Sequence, residues 1–199
     1  MLEIGVFHNG ASTLPVTLTK DGVAVNDGSL KEVHRAAQET LVNQVRQGIL
    51  AERLGFQYKW RNRGYGDFED YLAALRHKRR KEVRRERREL AAQGVEIVTQ
   101  KGDAIPDDLF APMYELYLTT VDKYVYGRRY LTKRFYELLR ERFRHNLCFI
   151  TARRGGELLA GTFNVQKSGV LYGRYWGTFE EVRFLHFNLC YYATIEHCI

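Results

Sequence analysis

The spacing of apolar and polar residues predicts an α+β chain with a short N-terminal region and a larger domain after it. Near the N-terminus, two runs of alternating residues flank Lys20-Asp21-Gly22, which predicts a β-hairpin. A capping box that begins at Ser29 predicts a helix that continues to about Arg53. The pattern therefore assigns residues 1–55 to a hairpin and a helix, and residues 56–199 to the main domain.

In the main domain, predicted helices alternate with strands, and the last elements are three consecutive antiparallel strands and a helix. Gly155-Gly156 and Ser168-Gly169 provide the turns between those three strands. This order predicts a mixed, largely antiparallel sheet flanked by helices, one of them long and basic. The predicted elements are strands at 56–62 and 95–99, helices at 67–93, 107–124 and 132–143, three strands between 147 and 177, and a helix from about 185 onward.

The last residues, Tyr191 to Ile199, keep an apolar pattern without a capping glycine or a polar tail. An apolar helix face needs a surface to pack against. We therefore expect that the chain lacks the C-terminal part of its fold. We also expect the exposed C-terminal helix to promote self-association.

The composition favours a cytoplasmic protein. Cys148, Cys190 and Cys198 are odd in number and form no CxxC pair, which is typical of reduced thiols. No run approaches the roughly 18 apolar residues that a membrane span needs. Residues 1–10 lack the features of a secretory signal. The sequence predicts no metal site and no tightly bound cofactor.

The formal net charge of +7 comes almost entirely from one window. Residues 76–89 contain nine Lys or Arg residues and three Glu residues. One interpretation is a solvated helix with internal ion pairs. The other is a surface for an RNA phosphate backbone, because Arg80, Arg84 and Arg88 form an i,i+4 row that contains no acidic residue. The candidate phosphate-binding residues are Arg79, Arg80, Lys81, Arg84, Arg85 and Arg88.

Three segments of the main domain carry motifs that occur together in one protein family. They are 57–75 with the basic helix after it, 117–132, and 171–192, in which Leu171-Tyr172-Gly173-Arg174-Tyr175-Trp176-Gly177 is the most specific run. In these segments the chain resembles a bacterial family of predicted N-acyltransferases. That family is related to the Fem peptidoglycan aminoacyl transferases and is built on GNAT-like domains.

The resemblance implies a GNAT-like fold and the transfer of an acyl or aminoacyl group to an amine. The family usually has His where Lys59 stands and Glu where Asn188 stands, and it usually continues beyond the last helix. The resemblance therefore also implies a truncated member, which we expect to be weakly active or inactive.

Acyl transfer to an amine needs a base for the amine proton and donors for the tetrahedral oxyanion. The predicted strand after Gly169 carries polar and aromatic side chains suited to a cleft wall. By alternation, Tyr172, Arg174 and Trp176 share one face of this strand, and Tyr175 lies on the other.

His186 and Asp122 are the candidate bases. The competing interpretations are a structural histidine at a helix start and a surface ion pair of Asp122. The predicted catalytic residues are His186, Asp122, Tyr172 and Arg174. The predicted substrate-binding residues are Trp60, Asn62, Tyr65, Tyr175, Trp176, Tyr191 and Tyr192.

The junction after the last predicted strand argues against acetyl-CoA as the donor. Loops that bind CoA offer glycine backbone amides to the pyrophosphate, whereas this junction carries Glu180-Glu181. Through the resemblance, aminoacyl-tRNA or another anionic acyl donor is favoured, with a small amine-bearing molecule as the acceptor. The alternative function is a non-catalytic RNA- or anion-binding module that uses residues 76–89.

Overall fold

A mixed sheet of six strands carries helices on both faces. The computed structural model describes residues 3–6, 19–20, 23–24, 58–123 and 129–199. The strands are β1 (Glu3–Val6), β2 (Thr19–Lys20), β3 (Val23–Ala24), β4 (Tyr58–Arg61), β5 (Val95–Lys101), β6 (Leu147–Arg154), β7 (Glu157–Lys167) and β8 (Val170–Thr178).

The described helices precede β5, separate β5 from β6, and follow β8. They are α1 (Phe68–Ala74), α2 (His77–Ala91), α3 (Phe110–Val121), α4 (Lys133–Leu138), α5 (Leu185–Phe187) and α6 (Thr194–Cys198). A π-helical turn (Leu139–Phe143) continues α4, and another (Asn188–Ala193) joins α5 to α6. We call residues 185–198 the C-terminal segment.

The strands of the main sheet lie in the order β4-β1-β8-β7-β6-β5. All neighbouring pairs are antiparallel except β1 and β8, which are parallel. This arrangement confirms the predicted α+β fold, with a mixed, largely antiparallel sheet, flanking helices and a long basic helix, α2.

The chain divides into two compact units. Residues 1–7 and 57–199 form one unit, which contains the six-stranded sheet. Residues 8–56 form the other, in which β2 and β3 pair antiparallel, as the predicted hairpin requires. The helix predicted after this hairpin lies outside the described residues.

Successive side chains along the strands point to opposite faces of the sheet and contribute to two separate hydrophobic cores. In β6, Cys148 and Ile150 point to one face, whereas Leu147 and Phe149 point to the other. Helices α1 and α2 and the C-terminal segment cover the first face, and α3 and α4 cover the second. We call the two clusters the first core and the second core.

Helix α3 approaches the sheet closely because two glycines face it. Gly161 of β7 and Gly177 of β8 are cross-strand partners. A Cβ atom at Gly177 would lie 1.9 Å from the carbonyl oxygen of Leu116 in α3. Any side chain at this position would therefore overlap the helix backbone.

Two threonines of α3 bind the backbone of β8 beside this contact. The Thr120 hydroxyl donates to the carbonyl oxygen of Trp176 at 2.5 Å, and the amide of Thr178 donates to Thr119 Oγ1 at 3.2 Å. Among the described residues, the pairs between β1 and β8 run from Val170 to Gly173. The threonines thus satisfy backbone groups of β8 that lie beyond its described pairs with β1.

One helix predicted from the sequence is two helices. The expected helix over residues 67–93 breaks between α1 and α2, because Leu75 and Arg76 have extended backbone with ψ of 154° and 142°. Asp67 caps α1, as predicted, by accepting a hydrogen bond from the amide of Asp70 at 2.8 Å.

The apolar end of the chain is buried within the described structure. Tyr192, Ile195 and Cys198 pack in the first core. The expectation of an exposed apolar C-terminal helix is therefore wrong, and the predicted self-association loses its basis. Phe187, which is 46% exposed, is the large apolar side chain that the segment does expose.

Replacing Gly177 with alanine should destabilise the chain strongly, because the new methyl group would overlap the backbone of α3. We expect the free energy of unfolding, measured by urea denaturation, to fall by about 3 kcal/mol or more. Gly161→Ala is the matched control, since its nearest contact, at 2.8 Å, is the flexible side chain of Met113. This control should lose about 1 kcal/mol. Equal losses in both variants would contradict the importance of the backbone contact.

Candidate functional site

A β-bulge in β8 changes the faces on which its side chains lie. Phe163 of β7 pairs with Tyr175, but the next residue, Asn164, pairs with Gly173. Arg174 is therefore the additional residue of the bulge. The regular alternation assumed from the sequence holds on each side of the bulge but not across it.

Tyr172 and Trp176 consequently lie on opposite faces of the sheet. Tyr172 is the cross-strand partner of Val165, which packs on the second core, whereas Trp176 packs on the first core. The prediction that Tyr172, Arg174 and Trp176 share one face is wrong, because the bulge inserts a residue between them. Tyr172 is exposed, and Arg174 is partly buried and interacts with another group.

His186 lies among aromatic rings at the start of the C-terminal segment. Its ring centroid is 4.8 Å from that of Trp176, 5.5 Å from Phe187 and 5.9 Å from Tyr191. Burial raises the pKa of the Tyr191 hydroxyl. The structure thus brings together three predicted site residues, and the imidazole is the group among them that most often serves as a general base in enzymes.

The backbone is strained where it enters this segment. Phe184 has a φ of 66°, in the left-handed region that residues other than glycine rarely occupy. The guanidinium carbon of Arg183 lies 4.5 Å from the centroid of the Phe184 ring. Strained residues of this kind cluster at functional sites, and this one directly precedes the helix that carries His186.

Asp122 does not join the group around His186. It accepts hydrogen bonds from Arg129 Nε at 2.9 Å and Nη2 at 2.7 Å, and both side chains are exposed. Asp122 follows α3, which packs on the second face of the sheet, whereas His186 belongs to a helix on the first face. Asp122 is thus one half of an exposed ion pair, and the four predicted catalytic residues do not converge.

Tyr175 packs among rings of the second core. Its centroid is 4.8 Å from that of Tyr117, and burial raises the pKa of its hydroxyl. The hydroxyl of nearby Tyr136 is buried without a hydrogen-bond partner among the described residues. Tyr175 therefore lies across the sheet from Trp176, the neighbour with which it was predicted to bind substrate.

Asn62 shapes the turn after β4. Its Oδ1 accepts hydrogen bonds from the amides of Gly64 at 2.9 Å and Tyr65 at 2.8 Å, and its Nδ2 donates to the carbonyl oxygen of Tyr65 at 3.2 Å. Asn62 was predicted to bind substrate, but its amide group makes its hydrogen bonds within its own turn. The rings of Trp60 and Tyr65 lie 6.3 Å apart, and each contacts Tyr71 edge-on.

A buried polar network joins α2 to the C-terminal segment. The Tyr192 hydroxyl donates to Glu86 Oε2 at 2.5 Å and accepts from Arg79 Nη2 at 3.1 Å. Burial and the hydrogen bond to Glu86 raise the pKa of Tyr192, so the phenol stays protonated and remains a donor. Glu86 is only 8% exposed, and this network supplies the partners that a buried carboxylate needs.

A cleft of about 250 Å³ lies beside this network. At its edge, Arg87 and Glu196 form an ion pair at 2.8 Å. In the sequence, Glu86 lies at helical spacing between Val83 and Leu90, which is the signal that could have identified it as buried. The cleft is lined by Arg87, Ile97, Thr99, Asn188, Tyr192, Ala193, Glu196 and His197.

Several of the basic residues of α2 are already paired. Arg79 is exposed but donates to the buried Tyr192 hydroxyl, Arg84 contacts Glu69 at 2.5 Å, and Arg85 lies 3.6 Å from Glu89. The prediction that Arg84 lacks an acidic neighbour is therefore wrong, because Glu69 reaches it from α1. Arg80 is partly buried, and its Nε has no hydrogen-bond partner among the described residues.

The side of α2 that faces away from the core presents a row of exposed cations. Lys78, Lys81, Arg85 and Arg88 are exposed and follow one another at helical spacing on one face. Within the described part of the chain, Lys78, Lys81 and Arg88 form no ion pair. We call these four residues the basic face. It contains three of the predicted phosphate-binding residues together with Lys78, which was not predicted to bind phosphate.

The sequence pattern of the FemAB-like family, described as peptidoglycan biosynthesis/recognition, matches residues 21–199. A search of curated proteins found no significant match to the chain. Among the residues that the structure describes, no helix combines the length and the apolar character needed to cross a membrane.

Replacing Tyr192 with phenylalanine should destabilise the chain, because the buried carboxylate of Glu86 loses its closest donor. We expect the free energy of unfolding to fall by about 1–3 kcal/mol in urea denaturation. Tyr130→Phe is the matched control, since the Tyr130 ring is 74% exposed, and it should change stability by less than about 0.5 kcal/mol. A Tyr192→Phe variant as stable as this control would refute the structural role of the network.

Proposed function

We propose, because this chain belongs to the FemAB-like family, that it acts in the transfer of an aminoacyl group from aminoacyl-tRNA to an amine of a peptidoglycan precursor. The basic face of α2 is the observation that supports aminoacyl-tRNA as the donor. The description of the family supports a peptidoglycan precursor as the acceptor. The order of helices and antiparallel strands from β5 onward supports the GNAT-like resemblance of the fold.

The charge of the basic face is available to a ligand. The buried side of α2 is fixed by Val83, Glu86 and Leu90, so the exposed side points away from the core. Three of its cations have no acidic partner in the described residues, and a row of like charges is stabilised by a bound polyanion. An RNA duplex is recognised largely through its backbone and shape, which suits a row of lysines and arginines without a base-reading pocket.

The site around His186 supports the chemical part of the proposal. An attacking amine must lose a proton during transfer, and His186 is the candidate that receives it. The neighbouring rings of Trp176 and Tyr191 provide an apolar wall for the acyl group. The junction after β8 supports a donor other than acetyl-CoA, because residues 179–184 contain none of the glycines whose amides would bind the pyrophosphate.

A second candidate function is a non-catalytic module that binds RNA or another polyanion through the basic face. The observation that favours it is the separation of the predicted catalytic residues. Asp122 and Tyr172 lie on the second face of the sheet, whereas His186 lies on the first. This function requires the basic face and does not require His186.

Reversing three charges of the basic face should weaken tRNA binding. The variant carries Lys78→Glu, Lys81→Glu and Arg88→Glu, and binding is measured by fluorescence anisotropy with aminoacylated and uncharged tRNA over a salt series. We expect the affinity to fall about tenfold or more, and the slope of log K against log salt to decrease in magnitude by about 3. The unmodified chain should bind the aminoacylated tRNA more tightly than the uncharged one.

The matched control carries Lys133→Glu, Lys167→Glu and Arg142→Glu. These residues are also two exposed lysines and one exposed arginine without an ion pair among the described residues, so the net charge changes equally. If both variants lose the same affinity for tRNA, the loss arises from the change in net charge and not from the basic face. Equal binding of all RNAs by the unmodified chain would favour the non-catalytic module, and the absence of binding would refute the tRNA donor.

A further inference from the structure

The turn that carries His186 is held by one buried side chain. Asn188 lies two residues after His186 in the C-terminal segment and is only 2% exposed. Its Nδ2 donates a hydrogen bond to the carbonyl oxygen of Phe184 at 2.9 Å, and its backbone amide donates to the same oxygen at 3.1 Å. A carbonyl oxygen has two lone pairs, and Asn188 supplies a donor to each of them.

Phe184 is the residue whose conformation needs this support. Its φ of 66° lies in the left-handed region, which costs free energy for any residue with a side chain. Relaxation to a negative φ would change the direction in which the chain enters α5. No described side chain caps the start of α5. The two hydrogen bonds from Asn188 are therefore the contacts that oppose the relaxation of Phe184.

The same side chain also reaches helix α2. The Nδ2 of Asn188 makes a long hydrogen bond, of 3.5 Å, to the carbonyl oxygen of Glu86. The neighbouring side chains of Leu185 and Leu189 are buried in the first core, so the segment is anchored before and after Asn188. Asn188 thus connects the strained residue to a helix whose own position is fixed by the core.

His186 lies between the two residues that this contact joins. Its ring centroid is 4.8 Å from that of Trp176, which belongs to β8. The backbone of α5 sets the direction of the imidazole, so a relaxed Phe184 would move the imidazole relative to the indole. A general base must lie within hydrogen-bond reach of the proton that it accepts, and a displacement of about 1 Å costs about a hundredfold in rate.

We propose that Asn188 is a positioning residue for His186. Its amide group holds Phe184 in the left-handed conformation, and the turn then places the imidazole against Trp176. The inference rests on the proposed function only in treating His186 as the group that receives the amine proton. The role requires a hydrogen-bond donor at position 188, so a side chain without a donor cannot replace Asn188.

NMR spectroscopy of the histidine rings of the full chain tests this inference without a substrate. The ring current of Trp176 shifts the Cε1–H resonance of His186, which is assigned by its absence from a His186→Gln variant. We expect Asn188→Ala to move this resonance toward the position of an unstructured histidine. Asn188→Ser should keep it in place, because a serine hydroxyl in a helix donates to the carbonyl oxygen four residues earlier, here that of Phe184.

Thr194→Ala is the matched control. Thr194 is also 2% exposed, and its hydroxyl donates to a carbonyl oxygen of the same segment, that of Leu189, at 2.8 Å. This variant loses a comparable buried hydrogen bond but should leave the His186 resonance unchanged. The positioning role is refuted if Asn188→Ala also leaves the resonance unchanged, or if the control displaces it equally.

A double variant decides the question if Asn188→Ala does not fold. Glycine adopts a positive φ without steric cost, so Phe184→Gly removes the strain that Asn188 opposes. The chain with both Phe184→Gly and Asn188→Ala should fold, as measured by circular dichroism, and keep the shifted His186 resonance. A double variant that stays unfolded, or that folds with the resonance displaced, would overturn the proposal.

An aminoacyl-transfer assay separates this inference from the proposed function. With aminoacylated tRNA and an amine-bearing peptidoglycan precursor, Asn188→Ala should lower kcat about tenfold or more. The KM for the tRNA should not change, because the basic face of α2 is intact. An unmodified chain that transfers nothing, together with a resonance displaced by Asn188→Ala, would refute the proposed function and leave the positioning role supported. An Asn188→Ala variant with the full kcat of an active chain would overturn the positioning role.

Discussion

The close contact of the α3 backbone with the glycine pair of β7 and β8 is the constraint on which the rest of the sheet depends. Without side chains at Gly161 and Gly177, the helix reaches the strands directly, and its two threonines bind the β8 backbone on either side of Gly177. The backbone of Trp176 is thus held from the second face of the sheet, while its ring contacts His186 on the first. The position of the aromatic site is therefore set by packing on the side of the sheet that it does not occupy.

Helix α2 has two roles that its composition does not separate. One side joins the helix to the C-terminal segment through Glu86 and Tyr192, a contact that buries a charge and therefore requires an accurate fit. The other side is a row of cations that makes no contribution to the core. The charge of residues 76–89 is consequently part structural and part available for binding, so a substitution must be interpreted by the side on which it falls.

The sequence was sufficient for those parts of the fold that have local signals. The three strands β6 to β8 were predicted because paired turn residues separate regular alternating runs, and Ser168 and Gly169 do adopt positive φ. The break between α1 and α2 has no such signal, since neither glycine nor proline occurs near Leu75. The bulge at Arg174 and the pairing of Arg84 with Glu69 depend on contacts between elements, which a single sequence does not contain. For this reason the separation of Tyr172 from Trp176 was not anticipated.

The bulge at Arg174 also affects how this chain should be compared with its relatives. A bulge is a single-residue insertion in a strand, and each of the two π-helical turns is the equivalent insertion in a helix. Sequences that lack one of these features are one residue shorter at that point. A gap placed only two positions away from Arg174 would match residues from opposite faces of the sheet and make a site residue look unconserved. The segments before and after each insertion are therefore best aligned as separate blocks, with length differences allowed only at the insertion itself.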